Sequence, residues 1–164
     1  MTLSRETILK RFGDIWPVHH RGFTSLLIEC RRAFDGDMDQ LVILSVIGER
    51  MLTQDRSRGL TYSEFREGKR GAGISRRINA QSIAGYTGIP RETVRRKING
   101  LIDRGWVKKD DHGMLEVSLD ATVDLAPATQ ITFDYFISLG NALITIALEA
   151  HEISPPGHAP SPFD

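Results

Sequence analysis

Residues 78–119 read INAQSIAGYTGIPRETVRRKINGLIDRGWVKKDDHGMLEVSL, and the punctuation of this stretch decides the fold. Arg76-Arg77-Ile78 reads as a short strand, and Asn79 is a good N-cap for a helix from Ala80 to about Thr87. Gly88 ends that helix. Ile89-Pro90 then leads into a second helix from Arg91 to Arg104, because proline is tolerated where a helix starts and not in its interior. Gly105 stops it. Trp106 to Lys109 and Met114 to Leu119 alternate as strands do, joined by a turn at Asp110-Asp111-His112-Gly113. The order is strand, helix, turn, helix, hairpin, which is that of a winged helix-turn-helix.

The second helix has two sides. With Val94 at zero and about 100° per residue, Ile98, Leu101 and Ile102 fall within about 80° of it and form one apolar stripe. Glu92, Arg96, Asn99 and Asp103 fall on the opposite face, and Arg91 projects from the first turn. Arginine can present two parallel donors to guanine O6 and N7, and glutamate can accept from cytosine N4. An Arg, Glu, Arg set is therefore suited to reading G·C pairs. Arg91, Glu92, Arg96 and Asn99 are the candidate base-reading residues. Arg95 beside them, and Lys108 and Lys109 on the first strand of the hairpin, are candidates for phosphate contacts.

The segment AQSIAGYTGIPRETVRRKINGLIDRGWVKK, residues 80–109, resembles the DNA-binding domain of the Crp/Fnr family of transcription regulators, with Arg91-Glu92-Thr93-Val94 and Arg96 carrying the match. The resemblance covers roughly residues 38–119. It implies that Arg91, Glu92 and Arg96 read base edges, that Gln81 and Thr93 touch phosphates, and that Gly88 makes the turn. Two departures limit it. That family places a cyclic-nucleotide-type β-barrel before the domain, and nothing in residues 1–37 can form one. Pro90 stands where a small hydroxyl residue usually caps the recognition helix, so that phosphate contact is not carried over. The layout, with helices on both sides of a winged core, is similar to MarR-type regulators, an analogy of fold alone.

Outside this core the pattern is helical. An amphipathic segment, Leu3 to Trp16, ends at Pro17, and a second, Phe23 to Phe34, carries Phe23, Leu26, Leu27, Cys30 and Phe34 at helical spacing. Asp35-Gly36-Asp37 interrupts it. Met38 to Leu52 reads as a well-buried helix. Thr53 to Gly73 is polar and basic and reads as a long loop. After a turn-like stretch through Pro127, Thr129 to Glu152 forms a long apolar helix, interrupted by Asp134 and Asn141 and flanked by no basic residue. It therefore reads as a dimer-core helix rather than a membrane span. The expected organisation is N-terminal dimerisation helices over 1–37, the winged domain over 38–119, a C-terminal dimerisation helix over 120–152 and a disordered tail over 153–164. The fold class is mainly α with a small β-wing.

The formal net charge is zero over 164 residues, yet residues 54–109 carry fourteen Lys/Arg against five Asp/Glu while residues 110–164 carry nine Asp/Glu and no Lys/Arg. Clustering, not the sum, sets the field at a surface, so this asymmetry fits a local phosphate-binding face; a set of solvated helix faces produces it equally well. The single cysteine, Cys30, excludes an intramolecular disulfide framework and reads as a packed thiol. His19 and His20 are adjacent and so point apart, which reads as surface rather than as a metal pair. There is no constellation for catalysis, no cofactor motif and no signal-peptide pattern at the N-terminus, and the expected compartment is the cytoplasm. The sequence thus reads as a homodimeric regulator on a roughly palindromic duplex site, with room for a small-molecule or protein effector. A protein-interaction module built on the same fold is the alternative, and an enzyme that uses the winged domain only for docking ranks last.

Overall fold

The computed structural model describes residues 3–53, 57–69 and 77–152. The chain is mainly helical with one small antiparallel sheet. The described elements are α1 (Arg5–Lys10), α2 (Phe12–Ala33), α3 (Met38–Met51), α4 (Tyr62–Arg66), α5 (Ala80–Thr87), α6 (Arg91–Asp103), β1 (Val107–Lys109), β2 (Leu115–Val117), α7 (Leu119–Asp124) and α8 (Ala126–Glu152). They divide into two compact units, one made of residues 29–128 and the other of residues 1–28 with 129–164.

The 29–128 unit has a closed core. Ile43 and Ile47 of α3, Ile83 of α5, and Val94, Ile98 and Leu101 of α6 are buried together with Phe34, Trp106, Val107 and Leu115. The local causes are the expected ones. Asn79 accepts from the Ser82 N–H at 2.9 Å to start α5, and Gly88 ends it with φ of 74°, a left-handed conformation that glycine adopts without a Cβ clash. β1 and β2 pair antiparallel with Lys108 opposite Glu116, and Ile78 adds an isolated bridge to Leu115. The turn between the strands is tied by Asp110. Its Oδ1 accepts from the His112 and Met114 N–H groups, each at 2.9 Å, and its Oδ2 accepts from Arg77 at 2.8 Å. Those hydrogen bonds, the Met114 N–H first, hold its carboxyl below the usual carboxylate range against the opposing effect of burial.

Several boundaries differ from the sequence expectation. Leu119 and the stretch after it are not strand and turn but α7, because Ser118 serves as N-cap: its Oγ accepts from the Ala121 N–H and donates to the Gly105 carbonyl at 2.5 Å. The indole of Trp106 donates to Asp124 at 2.7 Å and draws α7 back onto the hairpin. The expected loop 53–73 contains α4, started by a capping box in which Thr61 and Glu64 satisfy each other's backbone N–H. Residues 54–56 and 70–73 of that loop, Arg76 of the expected strand, and the expected tail at 153–164 lie outside the described residues.

In the other unit α2 and α8 run antiparallel, with Arg11 bonded to Glu149 at 2.6 Å near one end and the His19 ring to the Tyr135 hydroxyl at 2.6 Å further along. Pro17 does not end the first helix as expected. The break falls at Arg11, and Pro17 lies inside α2. A proline there costs about 3 kcal/mol, removing one hydrogen bond and crowding the carbonyl four residues back, which belongs to Gly13. Gly13 has open space around it. A ladder of rings spans the defect: Phe12 stacks on Trp16 with centroids 4.9 Å apart, Trp16 meets His20 edge-on at 5.2 Å, and His19 stacks on Phe23 at 5.4 Å. α8 likewise begins at Ala126, three residues before expectation, with Pro127 in its first turn, where no N–H is required. The stretch Ala126–Ala150 is long and apolar enough to cross a membrane by length and composition, and almost none of it is buried.

Two measurements check this packing. A Cβ on Gly22 would stand 2.3 Å from the Tyr135 ring, so Gly22→Ala is expected to lower the unfolding free energy by about 1–3 kcal/mol in denaturant titration. Gly85→Ala, in open space on α5, is expected to be neutral or to raise it by up to about 1 kcal/mol. Equal stability of Gly22→Ala and the wild type would contradict the close helix approach. For the hairpin, Asp110→Ala should speed amide exchange at His112 and Met114 while leaving protection in α3 unchanged; a uniform drop in protection would mean that Asp110 supports more than its turn.

Candidate nucleic-acid interface

Helix α6 carries three stripes. Val94, Ile98 and Leu101 are 0, 3 and 0% exposed and fix the helix against α3 and α5. Arg91, Glu92, Arg96 and Asn99 are all exposed; by the spacing Glu92, Arg96 and Asn99 share the side opposite the buried stripe, and Arg91 projects from the first turn. Of the expected phosphate contacts, Gln81, Arg95, Lys108 and Lys109 are exposed and Thr93 is half-buried. Arg91, Glu92 and Thr93 form the first turn of α6, and Lys108 and Lys109 lie on β1, which follows the helix directly. Pro90 occupies the N-cap and supplies no side-chain acceptor, so the first-turn N–H groups lack a cap.

The charges in this region are not equivalent. Arg95 pairs with Glu92 at 3.1 Å, an exposed i,i+3 contact that contributes little and breaks readily. Lys97 reaches back to Asp37 at 2.5 Å, and Arg104 binds the Ala33 carbonyl at 2.9 Å and the Asp35 carboxylate. Lys97 and Arg104 are therefore internal anchors, although they belong to the positive segment. Burial alone would raise the Asp37 pKa, but the Lys97 ammonium and the Gln40 N–H outweigh it and hold the carboxyl below its ordinary value. Arg91, Arg96, Lys108 and Lys109 have no ion pair among the described residues. These four cations, on the helix and the strand that follows it, can donate to phosphate oxygens or to base edges without first breaking an ion pair.

Sequence reasoning missed the Lys97 and Arg104 anchors. Their signal was their position: at about 100° per residue they fall beside the apolar stripe, not opposite it. It also missed the Arg50 guanidinium, which stands 5.6 Å from the ring centre of Tyr86, a side chain 59% exposed at the end of α5. Cys30 is half-buried, and burial, with a contribution from Glu29, pushes its thiol pKa up and so lowers its thiolate fraction. His19 is half-buried and engaged by Tyr135, whereas His20 is exposed. Among the described residues no group of three or more His, Cys, Asp or Glu side chains is placed to hold a metal ion.

No family model matches the chain, and searches of curated proteins and of solved structures return no match to it.

Proposed function

We propose that this protein is a sequence-specific DNA-binding regulator that acts as a homodimer in the cytoplasm. The 29–128 unit is a winged helix-turn-helix of Crp-like type, α5 and α6 are its helix pair, and the β1–β2 hairpin is its wing. The observation that carries this reading is the unpaired set Arg91, Arg96, Lys108 and Lys109, exposed on a helix and its adjoining strand, with the other side of the helix locked in a core. An α-helix fits the major groove, where Arg91, Glu92, Arg96 and Asn99 meet base edges. Lys108, Lys109, Arg95, Gln81 and Thr93 hold phosphates and set register.

Assembly as a dimer is supported by the other unit. Phe12, Trp16, Phe23 and Leu27 on α2, and Phe136, Ile137, Ile144 and Leu148 on α8, are all exposed, more apolar surface than a lone soluble unit commonly leaves open. A second copy accounts for it better than a bilayer, since the exposed Asp134 and Asn141 lie on α8 together with Glu149, which is ion-paired to Arg11, and such groups are costly in hydrocarbon. The same apolar surface also favours the second reading, a protein-interaction module that does not read DNA.

Selection of binding sites from random duplexes by the purified chain, with its mass measured in solution, tests the proposal. Enrichment of inverted half-sites containing G·C pairs and a dimer mass are expected; no enrichment, or a stable monomer at micromolar concentration, overturns the corresponding half of it. On the selected site Arg96→Ala should cost about 1–3 kcal/mol with random-sequence binding nearly unchanged, and Glu92→Ala should relax base choice while strengthening random-sequence binding. Replacing Lys108 and Lys109 by alanine should weaken all sequences alike and lower the salt slope by about 0.9 for each phosphate no longer neutralised. An unchanged slope removes the hairpin from the phosphate-binding surface.

A further inference from the structure

Lys97 and Gly100 of α6 and Arg104, its C-cap, share a stripe that is neither the buried apolar one nor the exposed one, and all three face the α2–α3 corner. Lys97 and Arg104 side chains are only 20% and 29% exposed, a costly place for two long cations when solvent is close by. The corner receives them in a fixed geometry. Asp35 and Gly36 have φ of 52° and 82°, and the turn is closed by Gly36 N–H to the Arg31 carbonyl and Asp37 N–H to the Phe34 carbonyl, both at 2.8 Å. Asp37 is divided between two tasks: Oδ1 accepts from the Gln40 N–H and caps α3, and Oδ2 accepts from Lys97. Arg104 donates to the Ala33 carbonyl at the end of α2 and to Asp35, with its guanidinium 4.8 Å from the centre of the Trp106 ring. Between them, a Cβ on Gly100 would stand 3.0 Å from Gln40 Nε2, so helix and corner are already near contact.

Apolar burial of Val94, Ile98 and Leu101 holds α6 to the core but is non-directional, and it permits small rotation and sliding. Charged hydrogen bonds are directional and resist both. We propose that Asp37 and Asp35 are positioning residues that clamp α6 through Lys97 and Arg104, setting the rotation at which Arg91, Glu92 and Arg96 are presented to DNA. The clamp rests on the reading of α6 as the helix that enters the groove. Because Arg104 grips the last carbonyl of α2, a change in the end of α2 reaches the base-reading face through the same contacts.

Lys97→Met and Asp37→Asn test the clamp. Methionine keeps the apolar stem of Lys97 and asparagine keeps an oxygen to cap α3; Asp37→Asn also removes an attraction between Asp37 and Arg96 that Lys97→Met leaves in place, so a loss common to both variants reports the ion pair. Affinities for the selected site and for random duplex DNA are measured across a salt series for wild type, both variants, the double variant and Lys97→Arg, with unfolding curves for each. The clamp predicts that each single variant loses about tenfold in discrimination between selected and random DNA, that the double variant loses no more than either single, and that Lys97→Arg restores most of it. If Lys97 instead binds a phosphate, Lys97→Met weakens both DNAs and lowers the salt slope while Asp37→Asn tightens both, and the clamp is refuted. Lower unfolding stability with discrimination unchanged refutes it as well, leaving a structural ion pair. A wild type that does not discriminate between sequences at all overturns the DNA-reading proposal and the clamp with it, an outcome distinct from a discriminating wild type whose variants discriminate equally.

Discussion

Burial of Val94, Ile98 and Leu101 is the constraint on which the 29–128 unit depends. Once those three side chains enter the core, the helical repeat leaves no choice for the rest of α6. Positions near the opposite side, 92, 96 and 99, must face outward, and positions 97, 100 and 104 must flank the core. The same core fixes the neighbours. Val107 and Leu115 are buried beside it, so Lys108 turns away from it and the hairpin departs from the helix end in one direction. The exposed cations are thus arranged by hydrophobic burial, and their mutual geometry needs no attraction among themselves.

The parts of this arrangement that could be read from the sequence are those fixed by short-range chemistry. Asn79, Gly88 and Gly105 bound helices because a cap acceptor and left-handed glycines act within a few residues. The outward face of α6 was legible for the same reason, since periodicity is local. Pro17 was misread because proline's cost is local while part of its compensation is not: the ring ladder lies within α2, but the contact of α2 with α8 through His19 and Tyr135 comes from more than a hundred residues away. α7 and α4 were hidden although Ser118 and the Thr61–Glu64 pair signal helix starts, because each helix is short and gains its stability from packing, Leu119 lying against Gly68. The roles of Lys97 and Arg104 depend on a corner some sixty to seventy residues earlier in the chain, which no local pattern reveals.

The two units solve the burial problem differently. In residues 29–128 the helices and hairpin enclose their apolar side chains, with Ile43, Ile83, Val94 and Leu101 fully withdrawn from water. The other unit has Ile15 and Ile146 inside, and its remaining large apolar residues among those described are part-buried or exposed. Two helices and a short third cannot surround a core, since each can bury only one stripe against its neighbour. The aromatic character of α2 makes the consequence sharper, because Phe12, Trp16 and Phe23 each carry large apolar area. Any further surface that covered these side chains would add stability, and the folding free energy of the unit would then depend on the concentration of whatever supplied it.

The distribution of charge follows from the same division between held and free groups. Counting by sequence gives the 54–109 segment a large positive excess, but the structure sorts its cations by environment. Lys97 and Arg104 are neutralised by aspartates of residues 35–37, Arg77 by Asp110 and Arg95 by Glu92. A paired cation contributes little field beyond a few ångströms, because its partner cancels it and solvent screens the remainder. Among the described residues, Arg58, Arg66, Arg91, Arg96, Lys108 and Lys109 of this segment are in no ion pair, and the last four lie on α6 and the strand that follows it. A chain of zero net charge can therefore still carry unpaired cations along α6 and β1, while the aspartates near α6 are taken up by Lys97 and Arg104.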